Sequence, residues 1–373
     1  MSIITAPGLL PEGLRDRLPP HADALARLVW RALDVAQAWG YERVSPPLAE
    51  FEDTLIGRLK SSRPQDLLRV IDPVSQRTLA LRPDITAQVG RIAATRMAHR
   101  ARPLRLAYGG PVLKLKATQL RPEREMMQVG AEIVGTDNIA AAREIVSLAL
   151  TALERAGVAG VTLDITLPDL VDTLAAGPFP IAAGRIDQAR ALLDAKDAGG
   201  LAAAGFERYL PLIDAAGPFP QALDRLRAVD AGGVLASRIA GIEAITTAVE
   251  GKAALTLDPT ERHGFEYQSW FGFSLFAEGV SGEIGRGGSY TVLHPDGREE
   301  PAVGFSLYPD PLIDAGLGGK PRRRIFVPLD ADAGAVEGLR ADGWATVAAL
   351  DADDDAAALG CTHRFEGGEI VAV

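Results

Sequence analysis

Cysteine is almost missing from this chain: Cys361 is the only one in 373 residues. A lone cysteine excludes an intrachain disulfide and a cysteine-built zinc site, and it fits a reducing compartment, so a cytoplasmic location is expected. Long hydrophobic runs are missing too. Nothing approaches the ~18 uninterrupted apolar residues of a membrane span. No basic segment followed by an apolar run opens the sequence, so neither a span nor a signal peptide is expected. Positive charge is the scarcer sign, with 39 Lys and Arg against 49 Asp and Glu and a net charge of −10. An acidic surface repels phosphate backbones and disfavours general nucleic-acid binding. The phosphate-loop, nucleophile-elbow and His-Glu-x-x-His signatures are all absent. The five histidines (His21, His99, His263, His294, His363) lie far apart. No metal site and no cofactor are therefore called for.

With 47% hydrophobic and 24% charged residues, the chain has the composition of a globular protein. Its length suggests a large domain plus a smaller one. Leu25, Leu28, Val29, Ala32, Leu33 and Ala36 recur at helical spacing, with Gly40 placed to cap the helix. Strands are predicted at 78–82, 104–108, 112–116, 126–134 and 161–167, and helices after Asp84 and over 139–156. Residues of about 168–250 are rich in Ala, Leu and Gly and read as a helical insertion. Strands resume at 253–257, 270–276 and 301–307, with a glycine-rich turn expected at 285–290. A Gly/Pro linker at 315–321 precedes a small βαβ-like appendage. The expected organisation is a core over 1–320 and a reduced C-terminal domain over 321–373. Strand clusters joined by short turns favour an α+β fold with a mainly antiparallel sheet flanked by helices.

Three strings carry most of the information: Leu81-Arg82-Pro83-Asp84-Ile85-Thr86-Ala87-Gln88, Gln128-Val129-Gly130-Ala131-Glu132, and Pro301-Ala302-Val303-Gly304-Phe305-Ser306. In that order they resemble the class II aminoacyl-tRNA synthetases, and the histidyl branch in particular, over about residues 8–315. That branch has Leu-Arg-Pro-Glu-x-Thr, a motif-2 hairpin ending in Gln-x-Gly-x-Glu, a Gly-Gly-Arg-Tyr-Asp turn and a Pro-Ala-Val-Gly-Phe strand. The resemblance implies a class II-type core and an amino-acid pocket built from Asp84, Thr86, Gln128, Glu132, Tyr267 and Tyr290. Carboxylates and hydroxyls there suit an α-ammonium and an imidazole.

The departures bear on function. Where the synthetase has Phe-Arg-x-Glu in motif 2, this chain has Leu113-Lys114-Leu115-Lys116. Pro122 replaces a loop arginine, and Pro311 stands where the motif-3 arginine belongs. The Arg-Gly-Leu-Asp-Tyr-Tyr segment is matched only by His263-Gly264-Phe265-Glu266-Tyr267-Gln268, without its arginine. Gly-Gly-Arg-Tyr-Asp has become Gly287-Gly288-Ser289-Tyr290-Thr291. Such planar, permanent cations neutralise charge on the ATP phosphates. Loss of one typically costs about two to four kcal/mol of transition-state stabilisation. Adenylation is not expected, and no residue is assigned as catalytic.

Two charge blocks stand out. Residues 85–124 hold nine lysines and arginines against one acid, Glu123. Within it, Lys114, Lys116, Arg121 and Arg124 are candidate contacts for a phosphate or a partner, beside the plainer reading of solvated residues. Residues 330–355 hold eight acidic residues against Arg340 alone. An acidic stretch where an anticodon-binding domain would be expected argues against tRNA.

A synthetase fold with the catalytic arginines gone is similar to the regulatory subunits of ATP phosphoribosyltransferase. That resemblance implies a partnership with the short-form catalytic subunit in the first step of histidine biosynthesis, and activation of that subunit. It also implies feedback inhibition by histidine and a self-dimer through the class II-type interface. An active histidyl-tRNA synthetase, and an amino-acid-sensing or RNA-binding paralogue, are the alternatives.

Overall fold

Apolar spacing and helix ends account for the first long helix, α1 (His21–Ala38). It buries Leu25, Leu28, Val29, Ala32, Leu33 and Ala36, and Gly40 (φ +85°) turns the chain out of it. The computed structural model describes residues 8–56, 67–116, 122–262, 268–317 and 322–373. Past α1 come β1 (Glu42–Arg43), β2 (Ala49–Phe51), α2 (Glu52–Leu55), β3 (Leu68–Ile71), β4 (Thr78–Leu81) and α3 (Thr86–Ala94). Two ten-residue strands follow, β5 (Leu104–Leu113) and β6 (Glu125–Val134). Helix α4 (Ile139–Arg155) starts at Asn138, whose side chain accepts from the Ala141 N–H at 2.9 Å. After β7 (Val161–Thr166) the chain is mostly helical: α5 (Leu170–Ala175), α6 (Ile186–Asp194), α7 (Ala198–Ala203) and α8 (Pro211–Asp214). The short strand β8 (Gly217–Pro218) interrupts it before α9 (Gln221–Val229) and α10 (Ala236–Ala248). Strands β9 (Ala254–Leu257), β10 (Gln268–Ala277), β11 (Gly285–Leu293) and β12 (Glu299–Leu307) lead to α11 (Asp310–Asp314).

Nine strands form one sheet in the order β1-β5-β6-β12-β11-β10-β7-β9-β8. Only the β1–β5 and β7–β9 pairings are parallel. The sheet is therefore mainly antiparallel, as the strand clustering implied. Strands β2, β4 and β3 make a separate small sheet.

Period-2 alternation divides the large sheet into two faces. Ala107, Val129, Ala131, Ile133, Val303 and Phe305 point to the side covered by α1 and α4, in the main core. Leu104, Leu106, Tyr108, Val134, Tyr290 and Ala302 point to the other, where α3 contributes Ile85, Val89 and Ala93. The helices of the insertion add Leu174, Leu193, Leu226 and Ile242 to the main core.

Two local readings change. Residues 285–290 are not a turn but the first two thirds of the central strand β11. Their glycines serve close packing: a Cβ on Gly287 would lie 2.4 Å from the Gly304 carbonyl and 2.5 Å from the Phe273 ring. The expected strands at 104–108 and 112–116 are one continuous strand ending at Leu113. Pro111 is tolerated because β1 pairs only with Leu106 and Ala107, so no β1 residue lies beside the missing N–H. Elements without a strong periodic signal, namely β2, β3, α2 and α11, escape sequence reading.

The chain divides into two compact units, residues up to 318 and residues from 319 onward. The second unit contains β13 (Arg324–Val327), α12 (Ala333–Ala341), β14 (Ala345–Ala348), β15 (His363–Glu366) and β16 (Glu369–Ala372). Its sheet runs β14-β13-β15-β16 around Ile325, Leu339 and Trp344. The β13-α12-β14 crossover is the expected βαβ element, and β15 is an addition to it.

Ile145 sits fully buried midway along α4, in the main core. Ile145→Ala should lower stability by about 2–5 kcal/mol through lost burial and a residual cavity, read from urea unfolding. A change under ~1 kcal/mol would mean that α4 is not packed as described.

Candidate functional site

Five of the six pocket residues named from sequence converge on the α3 side of the sheet. Glu132 projects from β6 over Gly304 of β12, its register partner. A Cβ at Gly304 would lie 1.5 Å from Glu132 Oε2, so glycine is required for the carboxyl to lie there. Two phenols hold it. Tyr108 donates to Oε1 at 2.9 Å and Tyr290 donates to Oε2 at 2.9 Å. Gly130 makes comparable room, since a Cβ there would lie 2.6 Å from the Tyr108 hydroxyl.

The network continues to α3. Thr86 Oγ1 lies 3.2 Å and Ser306 Oγ 2.9 Å from the Tyr108 hydroxyl. Gln128 Nε2 donates to Ser306 Oγ and to Asp84 Oδ2, both at 2.7 Å. Its Oε1 accepts the Ile85 N–H at 2.9 Å, and Asp84 Oδ1 accepts the Thr86 N–H at 2.7 Å. Asp84 thus organises the first turn of α3, as its position before the helix suggested. Buried Arg82 fixes the same corner. It donates to the carbonyls of Pro46 and Pro111 and to Gln88 Oε1 at 3.2 Å.

Burial pushes the Glu132 carboxyl up to about 8, against the hydrogen bonds from Tyr290 and Tyr108, with nearby Asp84 adding to the rise. Burial and the Glu132 charge push Tyr108 well above the usual phenol range. Beside Glu132 a shallow recess of about 10 Å³, room for a single water, is lined by Thr86, Arg286, Gly288, Tyr290, Gly304 and Ser306. Chemically this is an acceptor-rich site for a ligand that presents N–H groups or positive charge.

Tyr267 and Arg121 lie outside the described residues, as does the segment 263–267. Of the other basic candidates, Lys116 is exposed. Lys114 pairs through its backbone: its N–H donates to the Arg124 carbonyl at 2.8 Å. Arg124 spends its guanidinium on carbonyls, Lys114 O at 3.1 Å and Glu12 O at 3.4 Å. Its own N–H donates to Gly13 O at 2.8 Å, tying the N-terminal segment to the hairpin. Arg17 and Asp310 form a further ion pair there. The position matching the motif-3 arginine, Pro311, opens α11.

Sequence reading missed Tyr108, Ser306 and Arg286 as site residues. Ser306 ends a motif already noticed, and Tyr108 lies on a strand of correct parity. Only the pairing of β6 with β5 on one side and β12 on the other puts Tyr108 and Ser306 beside Glu132.

This combination defines a protein with the class II aminoacyl-tRNA synthetase-like fold. The histidyl-tRNA synthetase family model matches residues 13–312. Histidyl-tRNA synthetase from Nostoc shares the fold, with a TM-score of 0.77 at 15% identity over 96% of this chain and 91% of that one. A Bacillus halodurans structure described as an ATP phosphoribosyltransferase regulatory subunit/histidyl-tRNA synthetase superposes with a TM-score of 0.79. It is 25% identical over 96% of this chain and 97% of that one. The regulatory subunit of ATP phosphoribosyltransferase from Rhodospirillum centenum is 42% identical over 97% of this chain and 95% of its own. That from Paramagnetospirillum magneticum is 41% identical over 98% of both chains. The chain belongs to the family of ATP phosphoribosyltransferase regulatory subunits, and the regulatory reading prevails over the synthetase alternative.

Glu132 supplies a pH signature. Folding raises its pKa from 4.5 to about 8. Between those values the folded chain holds a proton that the unfolded chain has released. The stability from this group is full below pH 4.5 and is lost as pH rises through about 8. Glu132→Gln, uncharged throughout, should gain stability relative to wild type as pH climbs across that window in urea titrations. Parallel pH profiles would show that the carboxyl is ionised in the folded chain at neutral pH.

Proposed function

We propose that this chain is a non-catalytic subunit that activates a short-form ATP phosphoribosyltransferase catalytic subunit and transmits feedback inhibition by histidine. One observation carries the reading. The residues that match the amino-acid side of the synthetase pocket form a continuous hydrogen-bonded network, while Lys114 and Pro311 stand where the motif-2 and motif-3 arginines belong. Without those planar cations, charge developing at the ATP α-phosphate goes unbalanced, so adenylation and aminoacylation are not part of the function. Histidine would lie against Glu132, Thr86, Gln128 and Tyr290, with Asp84 and Tyr267 beside them. It would act by binding one state of the complex more tightly than the other and so shifting their populations.

A self-dimer through the class II-type interface is part of the same reading. It is supported by two exposed tryptophans, Trp30 on α1 at 67% and Trp39 just past its end at 38%. Exposed aromatics of this kind are enriched at protein interfaces. Work in the cytoplasm beside the other soluble subunits fits a chain in which no described helix is long and apolar enough to cross a membrane.

The test is reconstitution with a short-form catalytic subunit across a range of subunit ratios. Transferase activity should rise to a plateau, and histidine should then suppress it. Glu132→Ala should weaken that suppression by about tenfold or more, as expected for loss of a charge-assisted contact, while stimulation persists. Absence of stimulation at every ratio sinks the regulatory reading. Histidine-dependent exchange of pyrophosphate into ATP by the chain alone would reinstate the synthetase.

A further inference from the structure

Glu132 and its phenols explain how the pocket would hold an ammonium or an imidazole, but a free amino acid also carries a carboxylate. Among the described residues, one cation lines the same recess: Arg286. It lies on β11 in register with Ser306 of β12 and Ser274 of β10. Arg286, Gly288 and Tyr290 alternate onto the face that carries Glu132. The row running from Glu132 through Gly304 to Gly288 crosses two strand spacings, about 10 Å, and its last two positions have no side chain. The Glu132 carboxyl lies over Gly304, so between it and Arg286 the floor is the bare backbone of Gly288 and the side chain of Ser306.

Arg286 is also held in place. Its Nε donates to Glu283 Oε1 at 2.7 Å and its Nη2 to Oε2 at 2.6 Å, a bidentate clasp that sets the guanidinium plane. Ser274 Oγ donates to Glu283 Oε2 at 3.0 Å and fixes the clasp in turn. The arginine side chain is 24% exposed, Glu283 only 11%. A planar cation oriented by a more buried carboxylate, at the open edge of a recess whose inner end is a carboxyl, is arranged for a ligand carrying both charges.

We propose that Arg286, positioned by Glu283 and Ser274, binds the α-carboxylate of the effector, so that the pocket selects a zwitterionic amino acid over its decarboxylated or reduced analogues. This rests on the reading that the recess binds histidine. Arg286 is the specificity residue, and Glu283 is the positioning residue behind it.

Calorimetric titration of the full-length chain with L-histidine and with L-histidinol, which has an alcohol in place of the carboxylate, tests it. The wild type should bind histidine about tenfold or more tighter than histidinol, the usual worth of a hydrogen-bonded charged group. Arg286→Gln should abolish that preference by weakening histidine alone, and Arg286→Lys should restore part of it. Equal wild-type affinities for the two ligands overturn the proposal without any variant, so misfolding of Arg286→Gln cannot shelter it. A preference that survives in Arg286→Gln also overturns it and leaves Arg286 a brace for the β10–β11 connection. If the wild type binds no histidine, the effector reading falls, and this proposal with it.

Discussion

A carboxyl group buried in the middle of a β-sheet, with no cation in hydrogen-bond contact among the described residues, is the constraint around which this core is arranged. An isolated ionised carboxylate in such surroundings is far too costly to keep. The chain meets that cost in three ways. Glycines at 130 and 304 clear the space, phenols from β5 and β11 donate to both oxygens, and the raised pKa lets the group hold its proton near neutrality. Each depends on the strand order. Glu132 can reach Tyr108 and Tyr290 together only because β6 lies between β5 and β12, with β11 next. Moving any of these strands by one residue would turn its contribution to the opposite face.

The two faces of the sheet differ in what they bury. Toward α1 and α4 the sheet is aliphatic and continuous with the insertion helices, which gives the core its bulk. Toward α3 the apolar packing of Val89, Leu106 and Val292 surrounds a polar network whose members satisfy one another. Such a network is worth more when complete, since each unpaired member would be exposed to a low dielectric. Where the synthetase fold would present cations to ATP, this chain commits Arg124 to carbonyls and ties its N-terminal segment down through Arg17 and Asp310. The residues matching the amino-acid half of the synthetase site thus form one connected network, while Arg124, Arg17 and Asp310 serve structure.

Long periodic elements were legible in the sequence because their signal is local. The apolar stripe of α1, the helical run of α4 and the strand runs of β6 and β12 each rest on residues within a few positions of one another. The run Gly285–Tyr290 misled because glycine has two uses. Turns need its conformational freedom, and crowded sheets need its missing Cβ, and only the positions of Phe273 and Gly304 distinguish them. The short elements β2, β3 and α11 left no periodic trace, since three to five residues do not complete a pattern.

The sequence by itself determined the class of the core, the order of its motifs, the acidic character of the C-terminal stretch and the identity of five residues that converge on the α3 side of the sheet. Those are matters of residue identity and local spacing. Tertiary structure alone decided that Tyr108 and Ser306 join them, that Arg286 lines the same recess, and that Arg124 is spent on backbone. It also decided that Glu132 becomes a carboxyl able to keep its proton near pH 8. The reason is the same in each case: hydrogen-bond partners and desolvation come from strands that are distant in sequence, and only the register of the folded sheet brings them within reach.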